Sequence, residues 1–221
     1  MRLSKGLKEE NRNSISIEGE KIDNINKFTY LGAIINNTNT MEDELNARTN
    51  KANNAWNKFK TFWKQKHIST KTKLKIYNSI VVTTLLYGSE TWTLTTEQAI
   101  KLDSFGTKCL RHIMGYKWDD KIRNEDLYKL TSQVPITKQI QRKRLQWFGH
   151  MIRMDENRIA KKINFWQPIG KGKRGRKKKS WQDMIEEDAE ELRVGIEYLQ
   201  SIAQDRRKWL KTINALQVQK T

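Results

Sequence analysis

Leu74-Lys75-Ile76-Tyr77-Asn78-Ser79-Ile80-Val81-Val82-Thr83-Thr84-Leu85 decides the fold class of this 221-residue chain. Its centre is β-branched, which favours a strand. Its stripe positions, Leu74, Tyr77, Ile80, Val81, Thr84 and Leu85, recur at steps of three and four, the period of a helix face. That period predicts a helix, capped by Ser69 and closed by Gly88. With this stretch helical, everything after Thr40 reads as helix. Thr40, with Asp43 as capping-box partner, opens a helix through Met41, Leu45, Ala52, Ala55, Trp56, Phe59, Phe62 and Trp63. Thr95 or Thr96 caps another through Leu102, Phe105, Cys109, Leu110 and Ile113, ended by Gly115. A short helix is expected around Asn124–Leu130 and a long one over Ile136–Met154, with Pro135 suited to its first position. Gly149 inside that helix costs about 1 kcal/mol relative to alanine, so a close contact or bend is expected there. Ser180 with Asp183 caps a further helix, and Ile196–Leu216 forms the last.

Upstream, Ile15-Ser16-Ile17, Ile22, Ile25 and Phe28-Thr29-Tyr30-Leu31-Gly32-Ala33-Ile34-Ile35 are short β-rich runs broken by Gly and Asn. They read as a small antiparallel sheet that is marginal unless packed on something else. The expected fold is therefore mainly α: a small N-terminal antiparallel β-hairpin or sheet, then a helical bundle and a basic helical tail. The boundaries fall at a polar leader (1–13), the hairpin (14–38), three helices (39–115), a connector (116–134), a basic helical segment (135–167), a flexible basic strip (168–180) and C-terminal helices (181–221).

Composition bounds the function. The chain carries 43 Lys and Arg against 25 Asp and Glu, a net charge of +18, with 36% apolar residues. No window approaches the apolar length of a membrane span. One cysteine excludes an internal disulfide and a thiolate zinc cluster, which suits an intracellular, reducing location. No signal-peptide pattern follows Met1. The charge is concentrated: residues 138–179 hold 15 basic and 2 acidic side chains, whereas the following stretch sets Asp183, Glu186, Glu187, Asp188, Glu190, Glu191 and Glu197 against Arg193. Such a block attracts phosphates. A solvated face or an import signal is the competing explanation, and the Glu-rich run is most simply a solvated helix face.

The catalytic inventory is poor. His67, His112 and His150 lack zinc-helix spacing, and Cys109 lies on an apolar stripe as a core residue. No phosphate-cradling Gly loop or Gly-x-Ser-x-Gly elbow occurs. Asp119-Asp120 has no hairpin context that would aim both carboxylates at a metal pair, so a cap or turn is expected. The residues predict no catalytic site, no metal and no cofactor. Two binding features remain. Lys138, Arg142, Lys143, Arg144 and Arg153 share a helix with Trp147, Phe148 and His150, the two larger rings reading as core. Lys171, Lys173, Arg174, Arg176, Lys177, Lys178 and Lys179 form a strip suited to phosphates, to a minor groove or to nuclear import.

Seven short motifs follow in order. They are Phe28-x-Tyr30-Leu31-Gly32, Ile68-Ser69-x-x-x-Lys73-Leu74, Leu86-Tyr87-Gly88-x-Glu90-Thr91-Trp92 and Lys108-Cys109-Leu110-Arg111-x-Ile113-x-Gly115. Arg144-Leu145-x-Trp147-x-Gly149-His150-x-x-Arg153-Met154, Lys173-Arg174-Gly175-Arg176 and Asp205-Arg206-x-x-Trp209 complete them. Together they resemble the C-terminal third of the endonuclease–reverse transcriptase polyprotein of RTE-like non-LTR retrotransposons, over about residues 14–216. The resemblance implies that Phe28, Tyr30, Leu31 and Gly32 form a primer-grip-like hairpin at the end of a polymerase palm. It implies that residues 41–115 form a helical thumb and residues 116–216 a C-terminal extension. It places the palm Asp-Asp pair and the nuclease upstream of the segment matched here. Members of the family usually read Arg-Gly-Arg-Pro in the strip. Position 177 is Lys, which weakens a preorganised minor-groove insert and leaves general phosphate attraction. The expected partners are RNA, DNA or an RNA–DNA hybrid, with no membrane and a nuclear location. The alternative is a nuclear helical interaction protein whose strip serves only import.

Overall fold

The computed structural model describes residues 15–23, 25–38, 40–166 and 179–218. The leader and all of the strip except its end at Lys179 lie outside the described residues. Four strands make two separate antiparallel hairpins, β1 (Ile15–Ile17) with β2 (Glu20–Ile22), and β3 (Lys27–Tyr30) with β4 (Ala33–Asn36). Leu31 and Gly32 turn the second hairpin with φ of +47° and +83°, the left-handed pair that matches strand twist in a two-residue loop. Tyr30 faces Ala33 and Lys27 faces Asn36 across it.

The rest is helical, as expected. The helices are α1 (Glu42–Lys58), α2 (Lys60–Lys64), α3 (Thr70–Ile76), α4 (Thr83–Leu85), α5 (Thr96–Met114), α6 (Asn124–Thr131), α7 (Ile136–Ile152), α8 (Ile159–Phe165), α9 (Trp181–Glu191), α10 (Ile196–Gln204) and α11 (Arg206–Val218). The deciding stretch is helical, but α3 reaches α4 through a π turn at Tyr77–Val82. Side-chain hydroxyls bond back to the backbone along this stretch. Ser79 donates to the Lys75 carbonyl, Thr83 to Ser79 and Thr84 to Ile80, competing with the helical ladder.

Local capping signals behave as read at Ser69, at Thr95 (which the structure shows boxed with Gln98) and at Ser180 with Asp183. Three expectations need correction, each because a distant or neighbouring group intervenes. Thr40 does not cap α1. Asp43 turns instead to Lys27 (2.8 Å) and Asn36 (2.9 Å) on the hairpin, and α1 starts at Glu42 without a side-chain cap. Pro135 stands at the N-cap of α7, and the orphan donors there are met from α5: Asp103 accepts from the Thr137 amide (3.0 Å) and hydroxyl (2.8 Å). The last helix is two, because Asp205 leaves helical geometry (ψ 107°) and its carboxylate accepts from the amides of Arg207 and Lys208.

Two clusters of buried side chains result. The first joins Leu45, Trp63, Tyr77, Val81, Leu85, Trp92, Leu110 and Leu127 to Ile136 and Ile140 of α7. The second joins Leu145, Phe148, Met151 and Ile152 of α7 to Ile185, Leu199, Trp209 and Ile213. The two clusters meet along α7, between Ile140 and Leu145, and Leu127 of the expected connector is fully buried in the first.

Gly149 has the close contact expected of it. A Cβ there would lie 2.0 Å from Trp209 Nε1, and the indole donates to the Leu145 carbonyl at 3.2 Å, one helical turn earlier. Gly149→Ala gains about 1 kcal/mol of helix propensity but drives the indole off its seat, so urea denaturation should show a net loss of about 2 kcal/mol or more. A stabilised variant would mean that Trp209 is not packed on this glycine.

Candidate nucleic-acid interface

The hairpin is fastened to α1 by a buried ion pair. Glu44 accepts from Arg48 Nε (2.7 Å) and from the Ile34 amide (2.7 Å), while Arg48 Nη2 donates to the Gly32 carbonyl (2.5 Å). The Arg48 guanidinium also lies 4.4 Å from the centre of the Tyr87 ring, whose hydroxyl donates to the Leu31 carbonyl (3.1 Å). The backbone of Leu31 and Gly32 is thus held from beneath. Phe28 (39%), Tyr30 (58%) and Leu31 (77%) keep their side chains in solvent. The four residues singled out by the resemblance form one presented tip.

The basic helix is another matter. Arg144 is 4% exposed, and it grips Asp188 of α9 through two bonds of 2.7 and 2.9 Å. It also reaches the Trp92 carbonyl at 3.5 Å. Burial pushes the Asp188 carboxyl above its ordinary value, against the pull of Arg144 and Gln141. Lys138 pairs with Glu191, and Gln141 bonds both Asp188 and Glu191. Arg142 donates to Asn214 (2.8 Å), Lys143 to the Leu86 carbonyl (2.9 Å), and Arg153 to the Ala203 carbonyl. Lys179, at the end of the strip, pairs with Glu187. The expectation that α7 presents a row of free cations is corrected for Arg144, which is inside the protein. Lys138, Arg142, Lys143 and Arg153 each give at least one proton to a partner inside the protein. Of the acidic run, Asp188 is buried as the counter-charge of Arg144 and Glu191 pairs with Lys138, while Glu186, Glu187, Glu190 and Glu191 keep the exposed helix face that was expected. Lys171, Lys173, Arg174, Arg176, Lys177 and Lys178 lie outside the described residues.

A different set of cations is left without carboxylates. From Leu45 to Ser89 the sequence contains no Asp or Glu and nine Lys and Arg. Lys58, Lys60, Lys64, Lys66, Lys71 and Lys75 are exposed on the C-terminal end of α1, on α2, on the following loop and on α3. Among the described residues no ion pair reaches any of them. Lys60 and Lys64, and likewise Lys71 and Lys75, are four apart and share a helix face. Behind α2, Trp56 and Trp63 stack at 4.5 Å, and Phe59 and Phe62 pack edge-on to each other. Counting basic residues passes over this edge because its density is lower than that of residues 138–179. The absence of acids was the legible signal.

The remaining candidates behave as core or surface. Cys109 is buried, and burial pushes its thiol up to about 12. Phe148 is buried and Trp147 half-buried, and the ring of exposed His150 lies 5.5 Å from that of Trp147. Exposed His112 lies edge-on to Trp56. Asp120 closes a short 3-10 turn by accepting from the Lys117 amide (2.6 Å). Among the described residues no group of three or more His, Cys, Asp or Glu could hold a metal ion, and no helix is long and apolar enough to cross a membrane.

The chain is similar to a Caenorhabditis elegans protein described as uncharacterized and transposon-derived. The two are 27% identical over 203 residues, covering 87% of this chain and 72% of that protein. No family model matches the chain, and no solved structure matches it significantly.

The Arg144–Asp188 pair gives a direct test of the internal assignment. Arg144→Met or Asp188→Leu alone strands a buried charge and should cost about 3–5 kcal/mol in denaturant. The double variant should recover most of that loss. Equal, additive losses would mean that the two side chains are not coupled.

Proposed function

We propose that the chain is a nucleic-acid-binding protein of retrotransposon origin, similar to the thumb and C-terminal extension of a reverse transcriptase and without a catalytic site of its own. Its likeness to a transposon-derived protein supports origin in a mobile element. The observation that carries the binding role is the acid-free lysine edge of α1–α3. Six exposed ammonium groups with no carboxylate partner among the described residues make a surface that gains from displacing counterions on a phosphate backbone. Ammonium groups on flexible stems suit the phosphate backbone, which carries no sequence information, so the edge favours binding across sequences. The strip at 171–179 adds phosphate attraction and serves nuclear import, and the exposed hairpin tip beside Tyr87 suits contact with a strand end.

Anisotropy titrations of labelled duplex DNA, RNA and hybrid test this. With about six phosphates engaged, log affinity should fall against log salt with a slope of about −5. Replacing Lys60, Lys64, Lys71 and Lys75 by Glu should weaken all three ligands and flatten the slope by about 3–4. Arg142→Ala should change it little. A flat salt response in the wild-type chain would sink the binding role. Template-directed nucleotide incorporation by the purified chain would overturn the non-catalytic assignment.

A further inference from the structure

Between the π turn and α7 lies an open cleft of about 580 Å³, lined by Asn78, Val82, Thr83 and Leu86 on one side and by residues 132–134, Gln139 and Lys143 on the other. Its volume lies in the range of small-molecule sites. No carboxylate is among its lining residues. Two departures from regular backbone meet at its walls. The π turn contributes Asn78 and Val82, and such insertions recur at functional sites. Ser132 closes α6 in the left-handed region at φ +50°, where glycine is the usual residue.

The polar groups on the walls are incompletely used. The Asn78 side chain makes no hydrogen bond among the described residues. Gln139 gives one Nε2 proton to the Val134 carbonyl at 3.3 Å, which leaves its second amide proton and its Oε1. Lys143 gives one proton to the Leu86 carbonyl (2.9 Å) and forms an ion pair with Glu90 at 3.8 Å, longer than a hydrogen bond. Two ammonium protons remain for an anion. Val82, Leu86 and Val134 supply apolar surface for a flat ring. One cation, two carboxamides with both donor and acceptor capacity, and an apolar wall match a phosphate, a base edge and a base face.

We propose that this cleft is a nucleoside-phosphate site: Lys143 holds the phosphate, Asn78 and Gln139 read the base edge, and Val82 and Val134 cover the ring. The site is separate from the lysine edge, so either can fail without the other. The ligand is a free mononucleotide or the terminal nucleotide of a strand, and the probes distinguish the two. Side-chain amide signals of the full chain would be followed by NMR during titration with adenosine or uridine 5′-monophosphate, the matching nucleosides, inorganic phosphate, and a 5′-phosphorylated trinucleotide. Saturable shifts of the Asn78 and Gln139 amides with the monophosphates or the trinucleotide are expected, and whichever binds more tightly identifies the source. Gln139→Ala should weaken that binding about tenfold, and Val134→Trp should abolish it by filling the cleft. Both should leave duplex affinity unchanged. Because Gln139 is on α7, its variant tests the site without disturbing the π turn. The absence of shifts at these amides, or equal shifts with inorganic phosphate alone, would overturn the site.

Discussion

The contact on which the rest of this structure depends is the buried pair between Arg144 of α7 and Asp188 of α9. It sits on the one helix that both clusters of buried side chains share, at the level where the first gives way to the second. Neither charge has water to solvate it, so each holds the other in place. Gln141 fills a remaining acceptor position on Asp188 and extends the network to Glu191 and Lys138. Apolar packing alone would let α9 slide along α7. A bidentate pair allows one register.

That constraint radiates through the turn at residues 86–92. Its Leu86 carbonyl receives Lys143 and the Ser89 hydroxyl, its Glu90 carbonyl receives the Trp181 indole (2.8 Å), and its Trp92 carbonyl faces Arg144. Tyr87 of the same turn reaches back to the hairpin. One short segment therefore ties the sheet, the first bundle and the C-terminal helices together. Gly88 turns the chain there at φ +73°, a conformation that costs other residues energy.

The sequence discloses the parts of this fold whose causes are local. Ser69, Thr95 and Ser180 cap because their partners lie three residues away, and Gly149 announces itself as a helix-breaking residue in an otherwise good helix. What escapes is set by groups far apart in the chain. Asp103 caps α7 across 34 positions, and Asp188 neutralises Arg144 across 44. Charge counted along the sequence put the binding surface on residues 138–179, and of the described part of that block tertiary structure takes Arg144 inside and gives Lys138, Arg142, Lys143, Arg153 and Lys179 internal partners. Uncompensated charge, which is what a phosphate meets, is legible only once acids and bases are paired in space. The acid-free run from Leu45 to Ser89 is an exception, because lysines with no carboxylate nearby in the chain are harder to neutralise from elsewhere.

The same pairing clarifies what the retrotransposon-like motifs mean. Tyr87, Gly88 and Trp92 build the turn, Arg144 locks α9, Gly149 seats Trp209, and Cys109, Leu110 and Ile113 line the first core. These are positions where substitution changes packing, and their spacing is dictated by which helices must touch. Motifs of this kind bear on architecture. They say little about chemistry: among the described residues no group of three or more His, Cys, Asp or Glu could hold a metal ion, and Cys109 is buried with its thiol pushed up. The Phe28–Gly32 tip differs: its backbone is fixed while its side chains stay in solvent. Packing does not require Phe28, Tyr30 and Leu31 to be large and apolar there. Of these motifs the hairpin tip is therefore the one whose side chains the packing of the described residues leaves unexplained.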